Sequence, residues 1–465
     1  MEYITLINDY LWTWLVIPLL VCCALWFTYK LEAFQFRHLG MMIRQLTESH
    51  KSNKNGEKEE ESISSFHAFV VSLASRIGTG NLAGVASAIF VGGPGAVFWM
   101  WVMALLGSAT AFAESTLAQY YKVKVKGAYI GGPAYYMYYG LHKRWLGVIF
   151  SICMILSFAM ANQIMQSNQI SASLSDTFGI PSISAAVVLA IMIGAIILGG
   201  IHRIAKVSSY IVPFMAIAYL LLAFYLIITN ITEIPGVLYT IVSSAFGVEQ
   251  AAGGAIGITI SQGVKRGLFS NEAGEGSAPN AAATAETTHP VKQGLVQALG
   301  VFTDTLVVCT CTAVIILLSG VYKSTDADGI ILTTRALETH IGPWARYFIS
   351  AAIFFFAFSS IIGNYYYGET SVRFLTPHRR YMWIFRAITV GTVIVGGLMT
   401  LDDVWAIIDL CMCSIVLLNI YSILKLSPKV SKLWKNYNEQ RARGVEPEFH
   451  KEMIPEDSED VKTWL

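Results

Sequence analysis

The stretch from Ser72 to Gly95 reads S-L-A-S-R-I-G-T-G-N-L-A-G-V-A-S-A-I-F-V-G-G-P-G. It lies in an apolar run long enough to cross a bilayer, yet its middle is Gly78-Thr79-Gly80-Asn81. Glycines at such a place weaken a helix and free the backbone to leave helical geometry. In lipid, non-helical backbone is tolerated only where protein surrounds it or where it lines a cavity. The stretch therefore reads as a transmembrane helix broken near mid-membrane, whose freed amides and carbonyls form a site for a small polar solute. Tight helix packing accounts for Gly84 and Ala88, four apart on one face. It does not account for the polar Thr79 and Asn81. Gly78-x-Gly80-x-x-Ala83 has the form of a dinucleotide fingerprint, but that motif needs a preceding strand, and the flanks here are membrane helix.

Composition agrees with a membrane protein. The chain has 465 residues, 54% hydrophobic and 14% charged, with mean hydropathy +0.54; soluble domains average about 25% charged. A net charge of +1 gives no support to a nucleic-acid partner. The seven cysteines all lie in apolar runs, which argues against a disulfide framework.

A span needs roughly 20 apolar residues, and by that measure about eleven are expected. The first, Leu11–Lys30, reads as a retained helix. The others fall near 66–91, 96–121, 145–173, 183–200, 206–229, 236–265, 291–320, 344–371, 381–399 and 403–425. Basic residues alternate from one side to the other. Lys122, Lys143, Arg144, Arg203, Arg373, Arg379, Arg380 and Lys425 fall in every second connection, while Ser175–Ser182, Asn230–Pro235 and Thr400–Asp403 carry none. The positive-inside rule then puts the N-terminus outside and the C-terminus in the cytoplasm of a multi-pass cell-membrane protein. Two hydrophilic stretches, Ser49–Ser65 and the tail from Leu426, read as solvated cytoplasmic segments.

The seventh span repeats the device of the first stretch. Gly247, Gly253, Gly254 and Gly257 interrupt its apolar run, so a second break is expected there. Paired interruptions in corresponding places are the sequence pointer to an inverted-repeat transporter. The expected fold is an all-α polytopic membrane protein of about eleven transmembrane helices, one leading helix plus a 5+5 inverted repeat with two broken helices. The chain divides into 1–65 (leading helix and cytoplasmic loop), 66–232 (first repeat), 233–425 (second repeat) and 426–465 (cytoplasmic tail).

These residues resemble a known family. G-T-G-N-L-A-G-V-A, G-G-P-G-A-V-F-W-M-W-V, G-G-P-A-Y-Y-M and R-G-L-F-S-N-E-A-G-E-G-S-A-P followed by H-P-V-K-Q-G-L-V-Q look like the alanine/glycine:cation symporter family, and the resemblance covers roughly 10–425. It implies a leucine-transporter-type core and uptake of small neutral amino acids coupled to sodium, or to protons. A half-helix N-terminus suits the substrate carboxylate, which assigns Gly78, Thr79 and Gly80 to the substrate, with Gly253 and Gly254 from the second break. Similarity to the wider fold implies a sodium ion between the carbonyls of Ala74 and Ile77 and the hydroxyls of Ser359 and Ser360. Asn81 serves the substrate or a second cation. Gln166 and Asn168 match a polar stretch that the family places at the substrate; interhelical hydrogen bonding is their alternative role. Asn364 stands where many relatives carry tryptophan, which implies a roomier pocket that takes serine or glutamine beside alanine and glycine.

Charges inside spans are expensive, so Arg76 is expected to pair with Glu114, Asp304 or Glu369 and hold the broken helix in place, with tuning of cation coupling as its alternative role. Glu272 and Glu275 are expected at a cytoplasmic gate or capping a short helix. No nucleophile–base pair or metal cluster is visible in a span, so an enzyme is not expected, and no cofactor beyond the coupling ion. A channel would need a ring of selectivity groups, which paired breaks do not supply. The nearest rival is a proton-coupled or exchange-type amino-acid carrier of the same fold.

Overall fold

The computed structural model describes residues 2–52, 63–125, 127–198, 200–247, 253–457 and 459–464. Its main elements are helices: α1 Tyr3–Lys30, α2 Leu39–Ser52, α3 Ser65–Arg76, α4 Gly80–Gly92, α5 Gly95–Tyr120, α6 Arg144–Phe178, α7 Ser182–Ile197, α8 Gly200–Thr229 and α9 Ile234–Ala245. They continue with α10 Gly253–Asn271, α11 Pro290–Ser319, α12 Gly329–Ile341, α13 Ala345–Leu375, α14 Arg379–Gly396, α15 Leu401–Lys425 and α16 Ser427–Ala442. Among the described residues, α1, α5, α6, α11, α13, α15 and the Lys206–Thr229 part of α8 are each long and apolar enough to cross a membrane. Shorter apolar helices, α4, α7 and α9, accompany them. The protein is an all-α polytopic membrane protein. Its first span begins at Tyr3, eight residues before the expected start.

Packing follows a regular rule. α4 lies along α10, α5 along α11, α6 along α13 and α7 along α14, so four helices of residues 66–232 each pack on a helix of residues 233–425. α4 and α10 run antiparallel. At one end of the pair Gly80 sits against Ser270, and at the other the carbonyl of Gly92 accepts from Thr259 Oγ1 at 2.7 Å. One end of the bundle carries Asp9, Asp328 and Asp402 around a shared cleft; this is the acidic end. The other carries Lys122, Lys143, Arg144 and Lys425.

Where the glycines pointed, α9 does stop at Ala245 and Gly247 takes φ +72°, but the second break that faces the first lies further on, past α10. Gly253, Gly254 and Gly257 open α10, which then runs without interruption to Asn271; residues 248–252 lie outside the described set. The chain leaves helical geometry at Glu272 (φ +58°), Gly274 (φ +97°) and Gly276 (φ +77°), and re-enters a short helix at Ala278–Ala282. Other glycines of α10 serve close approach instead. A Cβ on Gly267 would stand 3.2 Å from Met100 Cα, and Gly263 is pressed against the Ala96 carbonyl of α5. Small residues at such a seam let two backbones meet. Beyond the break, Ala285–Glu286 pairs in parallel with Ile63–Ser64, which stitches the exit of one broken helix to the entrance of the other.

The tail is not a free solvated segment. α16 buries Val430, Leu433, Trp434 and Tyr437, an amphipathic spacing that its many charges hide. Trp434 packs with its ring 5.4 Å from Phe112 of α5 and 5.6 Å from Phe34. Further along, Phe449 N donates to Thr288 O at 2.8 Å, and Trp464 Nε1 donates to Gln119 O at 3.1 Å. Beneath it, burial pushes the His289 imidazole down to about 3, and its Nε2 meets Asn436 Oδ1 at 3.2 Å. Trp434→Ala is expected to destabilise the protein by about 3–5 kcal/mol, the usual cost of emptying a buried aromatic site. Denaturation in detergent reads this directly; an unfolding midpoint equal to that of the parent would contradict a docked tail. Of the Ser49–Ser65 loop, residues 53–62 lie outside the described set.

Candidate binding site at the helix breaks

The first break is short and fully enclosed. α3 ends at Arg76, Ile77 leaves the helix with ψ at 88°, and α4 resumes at Gly80. Residues 68–89 are all buried. Main-chain groups released here must find partners, and four of them meet side chains. Gly78 N donates to Asn81 Oδ1 at 3.0 Å, and Thr79 N donates to Gln166 Oε1 of α6 at 3.0 Å. On the carbonyl side, Ser360 Oγ of α13 lies 2.9 Å from Ala74 O and 3.3 Å from Ile77 O, while Ser359 Oγ lies 3.4 Å from Ala74 O. Two opened carbonyls and two hydroxyls thus share one small volume. Gly78 permits this: a Cβ there would collide with Ser360 Oγ and stand 2.9 Å from Gln166 Oε1.

Asn81 joins the break to a buried carboxylate. Its Nδ2 donates to Asp304 Oδ1 at 2.6 Å, while Ser270 Oγ and Thr305 Oγ1 reach Asp304 Oδ2 at 2.7 and 2.9 Å. Asp304 lies in Phe302–Cys309, a π-helical segment of α11 that widens the helix at this point. The start of α4, the end of α10 and the middle of α11 therefore converge on one carboxyl group.

At the second break Glu114 of α5 takes the place of a helix. Its two oxygens accept from Gly274 N at 3.3 Å and Gly276 N at 3.1 Å, and Asn419 Nδ2 of α15 adds a bond of 2.7 Å. The two breaks are tied through Glu272, whose oxygens accept from Ser75 Oγ at 2.6 Å and Ser277 Oγ at 2.5 Å. Glu272 and Glu275 are buried at 2% and 1% exposure within the break itself. Arg76 does not make the expected ion pair among the described residues. Its Nη1 donates to Gln297 O at 3.1 Å, and Nε and Nη2 have no hydrogen-bond partner. Glu369 is paired with Arg373, one turn along α13.

The structure thus brings together Ala74, Ile77, Gly78, Thr79, Gly80, Asn81, Gln166, Ser359 and Ser360. Asn364 sits one helical turn past Ser360, with its side-chain amide 2.5 Å from Ser75 Oγ, on the α3 side of the break. Asn168 is turned away: its Nδ2 donates to Gly396 O and Met399 O at 3.0 and 2.7 Å, the interhelical role. Gly253 and Gly254 lie at the far end of α10, about 25 Å from Ser270 by helical rise. Sequence reasoning missed Ser270, Thr305 and the pairing of Glu114 with the second break. A signal existed in S-N-E-A-G-E-G, where two glycines alternate with acids directly after an apolar run.

Over residues 1–451 the chain matches the sodium:alanine symporter family. It belongs to that family. Among curated relatives, it is 47% identical over 447 residues to a probable sodium/glutamine symporter of Bacillus subtilis, covering 96% of this chain and 92% of that one. It is 47% identical to an amino-acid carrier protein of the same organism, covering 98% and 96%. A sodium/alanine symporter of Methanococcus maripaludis is 37% identical, covering 95% and 98%. Among solved structures, a manganese transporter from Eremococcus coleocola superposes with TM-score 0.52 at 15% identity, over 79% of this chain and 78% of that one, which speaks to fold alone. As a member of the sodium:alanine symporter family, the chain is a multi-pass membrane transporter that couples amino-acid movement to a cation.

Proposed function

We propose that the chain carries alanine, glycine and related small neutral amino acids into the cell with sodium, by alternating access. The observation that carries this reading is the opened main chain at Ile77–Thr79, set against the Ser359 and Ser360 hydroxyls. The N-terminus of α4 offers amides and the positive end of a helix dipole to a substrate carboxylate. Such a carboxylate replaces the side-chain oxygen of Gln166 on Thr79 N–H. The oxygen set of Ala74, Ile77, Ser359 and Ser360 has the hardness that sodium prefers, and the ion recruits lone pairs of hydroxyls that otherwise donate to the carbonyls. The two repeats, 66–232 and 233–425, rock against one another around this site. The basic end faces the cytoplasm and α1 begins outside.

Ser360→Ala removes one ligand from the ion. It is expected to raise the sodium concentration for half-maximal uptake roughly tenfold, the equivalent of about 1–1.5 kcal/mol. An unchanged sodium dependence in transport assays would remove Ser360 from the ion site.

The substrate range is expected to include glutamine, because Asn364 fills little of the space a tryptophan would take and adds hydrogen-bonding groups. Unlabelled glutamine in excess should therefore suppress uptake of labelled alanine, and Asn364→Trp should abolish that suppression while alanine uptake persists. Alanine uptake indifferent to excess glutamine would overturn the assignment.

Proton coupling is the second reading, and Asp304 is the observation that favours it. A carboxyl group buried at 0% exposure beside Asn81 offers a place for a proton as well as for a second cation. Alanine accumulation in proteoliposomes under a sodium gradient or a proton gradient, imposed separately, distinguishes the two. Accumulation under the sodium gradient alone is expected. Accumulation under the proton gradient alone would select the second reading, and equilibration without accumulation would point to a channel.

A further inference from the structure

Where α6, α13 and α14 meet, the bundle carries an apolar hollow of about 560 Å³ that includes no residue of either break. Ile155 of α6, Leu375 of α13, and Ile384, Phe385 and Ile388 of α14 help to form it. Ile384 and Ile388 are 53% and 46% exposed, so the hollow opens on the outside of the bundle, where lipid lies. Its two threonines bring no free polar group to the wall. Thr389 Oγ1 donates to Phe385 O at 3.0 Å, and Thr376 Oγ1 accepts from His378 N at 3.3 Å. From Tyr381 to Ile388 the hollow follows α14 for about 10 Å. That depth lies within the roughly 15 Å that half a bilayer core offers an acyl chain.

The end of the hollow nearest the α13–α14 connection is cationic. His378 and Tyr381 line it. Arg380 Nη2 donates to Tyr381 OH at 3.0 Å, and Arg379 and Arg380 are both exposed. No acid falls between Glu369 and Asp402 in the sequence, and Glu369 is already paired with Arg373. Trp383 is 50% exposed, with the Arg386 guanidinium 5.2 Å from its ring centre, and marks this level as a membrane interface. An apolar hollow with two arginines at its mouth is the complement of a phospholipid of net negative charge. The hollow takes an acyl chain, and the guanidinium groups take the phosphate. A soluble anion gains nothing from the hollow, and a zwitterionic lipid brings a cation of its own to the arginines.

We infer that this hollow is a seat for one anionic phospholipid of the leaflet at the basic end. Its headgroup rests on Arg379 and Arg380, and an acyl chain lies along Ile384 and Ile388. One ring connects the seat to the transport core. Phe385 lines the hollow and stacks on Tyr365 of α13 at 5.4 Å and 29°, and Arg386 Nε donates to Tyr365 OH at 3.0 Å. Bound lipid therefore braces α14 against the helix that carries Ser359 and Ser360, whatever cargo the chain moves.

Native mass spectrometry of the full-length protein in detergent, with phosphatidylglycerol or phosphatidylcholine of the same acyl chains, tests the seat. The parent is expected to keep one phosphatidylglycerol roughly tenfold more tightly than phosphatidylcholine. Arg379→Gln with Arg380→Gln is expected to lose that preference. Ile388→Trp fills the hollow, leaves the charges in place, and is expected to lose the lipid. Lys30→Gln with Arg37→Gln removes the same charge near the end of α1 and is expected to change nothing. Phosphatidylglycerol should also raise the unfolding temperature of the parent and not that of Ile388→Trp. Equal retention of the two lipids by the parent would overturn the seat. A preference that survives Arg379→Gln with Arg380→Gln would overturn it as well. Phosphatidylglycerol held by Ile388→Trp as tightly as by the parent would put the lipid on surface charge alone and overturn the hollow as its site. Alanine uptake is a separate readout, so failure here leaves the carrier reading standing.

Discussion

Gly78→Val is expected to abolish sodium-driven alanine uptake while the protein still folds. The site has no room for a side chain: a Cβ would collide with Ser360 Oγ and come within 2.9 Å of Gln166 Oε1 and 3.0 Å of Ser360 Cβ. Overpacking of this kind costs about 1–3 kcal/mol of stability, which a large helical bundle withstands. The loss of function is expected to be far greater, because the added methyl groups occupy the volume shared by Ala74 O, Ile77 O and the two serine hydroxyls. A misplacement of about 1 Å at a reacting or binding centre can lower rates about a hundredfold. Uptake below about one hundredth of the parent's is therefore expected by the same reasoning. Gly257→Ala is the matched control. It lies in α10 with nothing within 4 Å of its would-be Cβ, so helix propensity alone applies and a gain of up to about 1 kcal/mol is expected. Full uptake by Gly78→Val, measured in the same vesicles, would show that the break does not hold the cargo.

Glu114→Ala is expected to have the largest effect on stability. Glu114 is 0% exposed and accepts from Gly274 N, Gly276 N and Asn419 Nδ2. Removing it leaves three buried donors without that acceptor, each costing about 1–3 kcal/mol. Asn419 keeps its bond to Gly274 O and accepts from Tyr136 OH, so the loss falls mainly on the two glycine amides. Loss of folded protein, or a much lower unfolding temperature in detergent, is expected. Glu114→Gln should be milder, since its carbonyl oxygen replaces one acceptor while its amide nitrogen faces donors. Parent-like stability and uptake in Glu114→Ala would mean that the second break is held by other contacts.

Most of the fold was legible because lipid imposes a simple rule on sequence. Apolar run length located the spans, and charge alternation assigned their connections to two ends. Gly78 and Gly80 marked the first break correctly because polar Thr79 and Asn81 accompany them. Gly247 marks a real stop after α9, but the second break past α10 was missed because glycine serves two purposes in membrane helices. Gly263 and Gly267 allow α10 to press on α5, while Gly274 and Gly276 adopt left-handed geometry; composition does not separate these uses. The docked tail was missed for a related reason. Its apolar residues at 430, 433, 434 and 437 are diluted by lysines, so mean composition reads as solvated while spacing reads as amphipathic. Asn168 and Gln166 illustrate the remaining limit. Two positions apart on one helix, they face different neighbours, and only the packing of α6 between the break and α14 decides which one reaches Thr79.

An experimental structure determined with sodium and alanine present tests the central claim most directly. The account predicts the alanine carboxylate on the main-chain amides near Thr79, and a sodium ion coordinated by Ala74 O, Ile77 O, Ser359 Oγ and Ser360 Oγ. Density for the amino acid elsewhere, with the chain from Ser65 to Gly92 wound as one continuous helix, would contradict it.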